Sequence, residues 1–270
     1  MKEFEEDYLK LRPGKAVGAC FLAIAVLVLA QFLALFISLP LPALGLPGAV
    51  CNIIAGLMYA GFSLAGALLL SLKFLRLNPA ELRLNFSKPE TLWLISALLM
   101  PALVLLVFTA LGGSWTVSGL EGGSRASLIT GALVYYGLAA GLGEELIFRG
   151  IIMGSLERAF NIKLAVVLPS VLFGALHIIG GGMSLLSAVQ LLIAGTMVGV
   201  LFSLVTWESG SVWNAALVHG VWNAVFAGGL VHVGNTVEAD SVFSLVLNSG
   251  SRMLTGGEFG AEASLISFLA

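Results

Sequence analysis

Apolar runs of about 20 residues recur along the chain, and they restrict its fold more than any other feature. A helical run of that length crosses a hydrocarbon core of roughly 30 Å, at about 1.5 Å per residue. Lipid offers no water to backbone N–H and C=O groups, so these runs must be helices rather than loops. Charged residues are only 10% of 270, too few to cover a water-facing surface. We predict an all-α, polytopic transmembrane helical bundle, with residues 1–270 forming a single membrane domain.

The sequence predicts about eight spans. The first is too long for a signal peptide, whose apolar region has about 7–15 residues, and we interpret it as a retained span. The last begins near Ala263 and is incomplete where the sequence stops. It is either a short re-entrant piece or a span that the natural chain continues, and we favour the second interpretation. The predicted spans are 16–39, 49–72, 91–111, 127–157, 164–180, 185–206, 211–231 and the incomplete one.

Lys and Arg residues in the short loops predict the orientation, because cytoplasmic loops carry an excess of them. On one side they precede spans one, three and five; on the other side only Arg125 and Arg252 occur. We therefore predict a multi-pass protein integral to the cell membrane, with a cytoplasmic N-terminus and an external loop at 233–262. The residues on the predicted cytoplasmic side are Lys2, Lys10, Arg12, Lys15, Lys73, Arg76, Arg83, Lys88, Arg158 and Lys163.

Polar residues inside the predicted spans are few and fall together in three of them. An ionisable residue at the centre of a span costs roughly 2.5–3.5 kcal/mol on insertion scales, so each is a functional candidate. They form three motifs: Glu144-Glu145-x-x-x-Arg149 in span four, Phe173-x-x-x-His177 in span five and His219-x-x-x-Asn223 in span seven.

Helical spacing gives these motifs a geometry, because residues four apart lie on one face. Glu145 and Arg149 are therefore expected to pair, and His219 shares a face with Asn223. Glu144 is rotated by about 100° from its neighbour and is left without a local countercharge. A carboxylate in that setting is suited to act as a general base. For Glu145 and Arg149, a purely structural ion pair explains the spacing equally well.

Together, and in this order, the three motifs resemble those of the CPBP family. That family comprises the type II CAAX prenyl endopeptidases and bacterial bacteriocin-processing or bacteriocin-immunity relatives. The resemblance covers roughly residues 133–226, and we take residues 127–226 as the motif-bearing catalytic core.

The resemblance implies a role for each motif residue of this chain. Glu144 would be the catalytic base, and His177 would help it to hold a water. His219 and Asn223 would bind or polarise the scissile carbonyl. The supporting residues would be Glu145 and Arg149.

A metal site is the alternative chemistry, because Glu144, His177 and His219 can also bind zinc. Catalytic zinc usually takes three protein ligands and one water. The sequence has no HExxH motif and no cysteine near these residues, and the histidines come from different helices. We favour a glutamate-dependent mechanism over that of a metallo-endopeptidase. We therefore expect no cofactor, and in the alternative mechanism the cofactor would be a zinc ion.

The predicted function is that of an intramembrane endopeptidase acting on a membrane-bound peptide or protein, such as a lipidated CAAX-type substrate. No nucleic acid is expected as a partner. The alternatives are a non-catalytic immunity or scaffold protein and a proton-coupled transporter that uses Glu and His as a relay. A transporter would more often show internal repeats and broken helices, neither of which is clear in this sequence.

Overall fold

A computed structural model describes residues 11–179 and 182–269. Within these residues five helices are long and apolar enough to cross a membrane, which confirms the predicted helical membrane bundle. Three predicted features lie outside the described residues: the basic and acidic segment 1–10, the end of span five at residue 180 and the end of the last span at residue 270.

The long helices agree with predicted spans to within about five residues, as expected for boundaries drawn from sequence. Two further helices are shorter than predicted: Ile162–Leu176 has 15 residues and Val212–Val225 has 14. The helices are α1 (Pro13–Ser38), α2 (Gly48–Leu75), α3 (Thr91–Ala110), α4 (Gly122–Ala159), α5 (Ile162–Leu176), α6 (Leu185–Ser209) and α7 (Val212–Val225).

Helix α4, which carries the two adjacent glutamates, is not a regular α-helix throughout. A π-helical stretch, Gly131–Ala140, precedes the turn Gly141–Glu145, and a second, Leu146–Ile152, follows it. Such wide turns are rare and are frequent at functional sites. They widen the helix around Arg149. The side-chain directions in α4 therefore agree only approximately with those of an ideal α-helix.

Glycines bring the helices that carry the motifs into backbone contact. A Cβ at Gly141 of α4 would lie 2.7 Å from the Cα of Gly220 in α7. In the same way, a Cβ at Gly195 of α6 would lie 2.6 Å from the Cα of Gly174 in α5. Small residues of this kind let membrane helices approach closely, and here they pack α4 on α7 and α5 on α6.

A three-stranded sheet forms where the sequence analysis predicted only loops. The strands are β1 (Ser114–Val117), β2 (Val231–Gly234) and β3 (Phe243–Val246), in the order β1-β3-β2. β3 pairs antiparallel with β1 and parallel with β2. The segment 233–262, predicted as an external loop, thus contains paired strands that the sequence analysis did not predict, because each strand has only four residues and pairs with a distant segment.

The bundle has two chemically different ends. At one end the Lys15 ammonium donates to the Leu75 carbonyl at 2.7 Å, and Arg83 pairs with Glu157 at 2.7 Å. We call this the basic end, and the opposite end, where β1–β3 lie, the sheet end. The predicted cytoplasmic location of the basic end remains a prediction. Its described basic residues are Arg12, Lys15, Lys73, Arg76, Arg83, Lys88, Arg158 and Lys163.

The last part of the chain folds back at the sheet end. It contains the short helix α8 (Arg252–Thr255), a turn at Ala261–Ala263 and a helix α9 (Leu265–Leu269). Helix α9 thus starts close to the predicted position, and the turn before it packs beside α6 and α7.

Replacing Gly141 by Leu should destabilise the protein much more than the same change at Gly61. A side chain at Gly141 meets the α7 backbone, whereas nothing lies within 4 Å of a Cβ at Gly61 in α2. Overpacking a tight contact costs about 1–3 kcal/mol or more. The thermal unfolding midpoints of the two variants in detergent measure this difference, and equal midpoints would show that the α4–α7 contact is not tight.

Candidate active site

A buried ion pair lies at the centre of the bundle. Arg149 Nη1 donates to Glu145 Oε1 at 2.8 Å, and the two side chains are 1% and 0% exposed. This is the pair expected from the four-residue spacing. Arg149 Nη2 also donates to the Gly199 carbonyl of α6 at 3.0 Å. Three aromatic rings surround the guanidinium within cation–π distance: Phe148, Phe173 and Phe202, at 5.7, 4.8 and 5.3 Å.

The same carboxylate oxygen holds His219, a contact that the sequence analysis did not predict. His219 Nδ1 lies 2.8 Å from Glu145 Oε1. Since Arg149 donates to that oxygen and an ionised carboxylate only accepts, we assign a proton to Nδ1. The ring also stacks on Phe202, with 4.6 Å between centroids. Residue spacing gives no signal for this contact, because the two residues are 74 apart in sequence.

Glu144 faces the other nitrogen of the same imidazole. Its Oε2 lies 3.8 Å from His219 Nε2, and its side chain is 18% exposed. Among the described residues this Oε2 is buried and has no hydrogen-bond partner. Buried polar atoms are nearly always hydrogen-bonded, and a polar separation beyond 3.5 Å commonly accommodates a bridging water. Oε2 of Glu144 thus lacks the hydrogen bond that a buried carboxylate oxygen normally makes, and the nearest imidazole nitrogen is that of His219.

His177 lies at the end of its helix rather than inside it, unlike the prediction. Helix α5 stops at Leu176, and His177 Nδ1 lies 2.8 Å from the Phe173 carbonyl. The hydrogen bonds of residues 11–179 and 182–269 include none between His177 and Glu144, although the resemblance implied that they act together. The ring packs on Phe173, with 4.5 Å between centroids.

His177, His219 and Asn223 line one cavity of about 50 Å³, in agreement with the shared face predicted for the last two. One water has about 30 Å³ in the liquid, so the cavity has room for a water but not for a peptide segment. The Asn223 amide donates to the Tyr136 carbonyl over a long distance of 3.4 Å. Glu144 is not among the lining side chains, and its Oε2 lies 3.8 Å from Nε2 of His219, which does line the cavity.

Glu262 completes the cavity wall, and the sequence analysis missed it. Trp222 Nε1 donates to Glu262 Oε1 at 3.1 Å, and the neighbouring Phe259 ring lies 6.4 Å from the His177 ring. Burial raises the pKa of Glu262 to about 7, against the opposing influence of the Trp222 hydrogen bond. No motif connected this residue with the site, because it lay at the end of a predicted external loop.

The donors of this cluster do not fit a three-ligand zinc site. Such a site needs three protein donors at about 2.0–2.2 Å from one point. Nδ1 of His219 and Nδ1 of His177 are engaged by Glu145 and by a backbone carbonyl, so Nε2 of each ring is the nitrogen that could bind a metal. Over the described part of the chain, no three His, Cys, Asp or Glu side chains lie close enough together to hold a metal ion. The set Glu144, His177 and His219 is therefore not arranged as zinc ligands.

Glu145→Gln should lower both stability and activity. The change leaves the Arg149 charge unpaired, and removing one partner of a buried pair costs about 3–5 kcal/mol. It also removes the charge that orients His219. Arg149→Gln in the same chain should restore part of the lost stability, but not the activity. Thermal unfolding midpoints and peptide cleavage measure the two effects.

Glu157→Gln is the matched control, because the Glu157–Arg83 pair lies at the partly exposed basic end. It should reduce the unfolding midpoint less and leave cleavage unchanged. Two results together would contradict the importance of the buried pair. The Glu145→Gln protein would have the same unfolding midpoint as the parent, and adding Arg149→Gln would not raise that midpoint.

Comparison with known proteins agrees with these motifs. Residues 126–225 match the family model described as type II CAAX prenyl endopeptidase Rce1-like. Neither the curated proteins nor the solved structures include a significant match. The matched segment contains α4 from its first turn onwards, α5, α6 and α7, and with them every motif residue described above. The resemblance predicted from the three motifs is therefore confirmed: residues 126–225 match the model of the Rce1-like type II CAAX prenyl endopeptidases, and the chain is an integral membrane protein.

Proposed function

We propose that the protein is an intramembrane endopeptidase that hydrolyses a peptide bond of a membrane-associated substrate, with Glu144 as the general base. The observation that carries this proposal is the buried, unpartnered Oε2 of Glu144, 3.8 Å from His219 Nε2. A water placed there would be bound by a base and would lie beside a cavity lined by hydrogen-bonding side chains. The family match supports a protease of the CAAX type.

In the proposed reaction Glu144 takes a proton from the bound water as the water oxygen attacks the carbonyl carbon. The resulting tetrahedral intermediate carries the negative charge on the former carbonyl oxygen. Glu144 then delivers its proton to the leaving nitrogen as the C–N bond breaks. General base and acid catalysis of this kind contributes about 10²- to 10⁴-fold to the rate.

His219 and Asn223 are the proposed donors to that oxyanion. Because His219 Nδ1–H is committed to Glu145, its Nε2 can donate only when the ring carries both protons. The Asn223 amide has a second N–H beside the one on the Tyr136 carbonyl. Glu145 and Arg149 act on the reaction through His219, as positioning residues.

His177 is proposed to help hold the water. Its Nδ1 faces the Phe173 carbonyl, which only accepts, so the proton lies on Nδ1. Its Nε2 then carries a lone pair and can accept a hydrogen bond from a water in the cavity that it shares with His219.

The two alternative functions receive less support. A transporter would need the Glu and His residues to connect both faces of the membrane, but Arg149 and its neighbours close the path toward the basic end. Ile147 and Ile151 of α4 are both 0% exposed there. A non-catalytic immunity or scaffold protein would not need an unpartnered carboxylate oxygen beside an imidazole.

Glu144→Gln should abolish turnover while leaving the fold intact. The amide keeps the shape of the side chain but cannot accept a proton, so the rate should fall by at least about 100-fold. Cleavage of a labelled CAAX-type peptide by the purified protein measures the activity, and the thermal unfolding midpoint measures the fold.

Glu208→Gln, on the exposed end of α6, is the control and should leave cleavage unchanged. An active Glu144→Gln protein beside a stable but inactive Glu145→Gln protein would reverse the assignment of the two glutamates.

Chelation tests the metal-free mechanism. Exhaustive treatment with a chelator should leave most of the cleavage activity, because the proposed steps use only side chains of the chain. Metal analysis of the purified protein should give well below one zinc per chain. A stoichiometric zinc that is lost together with activity, and that restores activity when it is returned, would refute this mechanism.

A further inference from the structure

Glu262 brings a carboxylate to the cavity that the motif residues line. It belongs to the turn Ala261–Ala263, outside the segment that matches the family model. It lines the cavity of about 50 Å³ together with His177, His219 and Asn223, and it is the only carboxylate among the described residues that do so. The proposed reaction does not use it.

A hydrogen bond from α7 fixes one oxygen of this carboxylate. Trp222 Nε1 donates to Glu262 Oε1 at 3.1 Å, and the Trp222 ring packs on Phe226 with 4.7 Å between centroids. Trp222 is buried, so the donor is held in place. Within residues 11–179 and 182–269, the other oxygen, Oε2, has no hydrogen-bond donor. A carboxylate has about four positions at which it accepts hydrogen bonds, so Glu262 can accept more than it does.

The surroundings of Glu262 favour a further donor. Burial raises its pKa to about 7, against the opposing influence of the Trp222 hydrogen bond. The ion pairs of the described residues include none to Glu262. A carboxylate that is removed from water and has one neutral donor is stabilised by another donor, and most by a positively charged one.

The scissile peptide bond would bring such a donor into the cavity. In the proposed reaction His219 and Asn223 hold the carbonyl oxygen. The amide nitrogen is bonded to the same carbon, and it lies about 2.3 Å from that oxygen because the two bonds are only about 1.2 and 1.3 Å long. Its N–H is then close to the cavity lining, to which Glu262 contributes accepting oxygens. The acceptor of His177 is used by the water.

The amide nitrogen becomes a stronger donor as the reaction proceeds. In the tetrahedral intermediate it takes the proton from Glu144 and carries a positive charge. It then receives the electron pair of the C–N bond as that bond breaks, and it leaves as an amine. A carboxylate beside the nitrogen therefore stabilises a charge that the intact peptide lacks. Interactions that strengthen in this way on going to the transition state increase the rate of the chemical step.

We propose that Glu262 is a catalytic residue, whose carboxylate accepts a hydrogen bond from the scissile amide N–H and stabilises the positive charge on the leaving nitrogen. The proposal rests on the proposed endopeptidase function and adds a partner for the nitrogen to it. His219 and Asn223 then stabilise the negative charge on the oxygen, and Glu262 stabilises the positive charge on the nitrogen of the same bond.

An ester in place of the scissile amide tests this role, because the ester oxygen has no N–H and leaves without becoming a cation. The parent protein and its variants are assayed on a labelled CAAX-type peptide and on the matching depsipeptide, in which oxygen replaces the scissile N–H. The decisive variant is Glu262→Gln. Its amide removes the charge but keeps an oxygen that can accept from Trp222 Nε1.

Glu262→Gln should lower kcat for the peptide at least about tenfold, because a hydrogen bond to a charged group is lost from the transition state. It should leave kcat for the ester within about twofold of the parent value, since the ester makes no such bond. The ratio of the two rates is measured on one preparation, so a smaller folded fraction would lower both rates equally and leave the ratio unchanged.

Glu258→Gln is the matched control, four residues earlier in the chain. The Glu258 carboxylate accepts from the Ser184 backbone N–H at 2.6 Å and does not line the cavity. This variant should leave the ratio of peptide to ester cleavage unchanged.

An equal loss on both substrates in Glu262→Gln, or no loss on either, would overturn the role of Glu262. Glu144→Gln should lose both activities, because both substrates need the attack of water. If Glu144→Gln retains them, the proposed function itself fails. The two failures are thus distinguishable in the same set of assays.

Discussion

The Arg149 guanidinium lies in the middle of an apolar bundle, where a charge without a partner would be costly. Its partners come from two helices: the Glu145 carboxylate one turn earlier in α4 and the Gly199 carbonyl of α6. Because Glu145 also binds His219, the same charge fixes a residue of α7. The arrangement of α4, α6 and α7 around the site thus depends on satisfying this one cation.

Close helix packing makes the cluster possible. Glycine contacts let α4 and α7 approach until their backbones touch, which brings the Glu145 carboxylate within hydrogen-bond distance of His219. The π-helical stretches of α4 flank the two glutamates and change the direction of the side chains that follow. The result is an asymmetric pair of carboxylates. Glu145 binds Arg149 and His219 through Oε1, whereas Glu144 makes no hydrogen bond to either residue, and Oε2 of both carboxylates has no hydrogen-bond partner among the described residues.

The site is not confined to the helices that carry the motifs. The segment 257–262 returns from the sheet end and contributes Phe259 and Glu262 to the cavity wall. His177, at the end of α5, is exposed, whereas Glu145, Arg149 and His219 are buried. The candidate site is therefore enclosed around Arg149 and accessible at His177.

Sequence alone determined the membrane bundle, the positions of the long helices and the Glu145–Arg149 pair, because apolar run length and helical spacing are local properties. It also predicted the resemblance to the CPBP family, through three motifs whose spacing is local as well. It did not determine the contact of His219 with Glu145, the end of α5 before His177, the sheet or the place of Glu262. These features depend on which distant segments of the chain contact each other, and tertiary packing decides those contacts. Backbone contacts at glycines and the pairing of the buried Arg149 charge fix the geometry of the site.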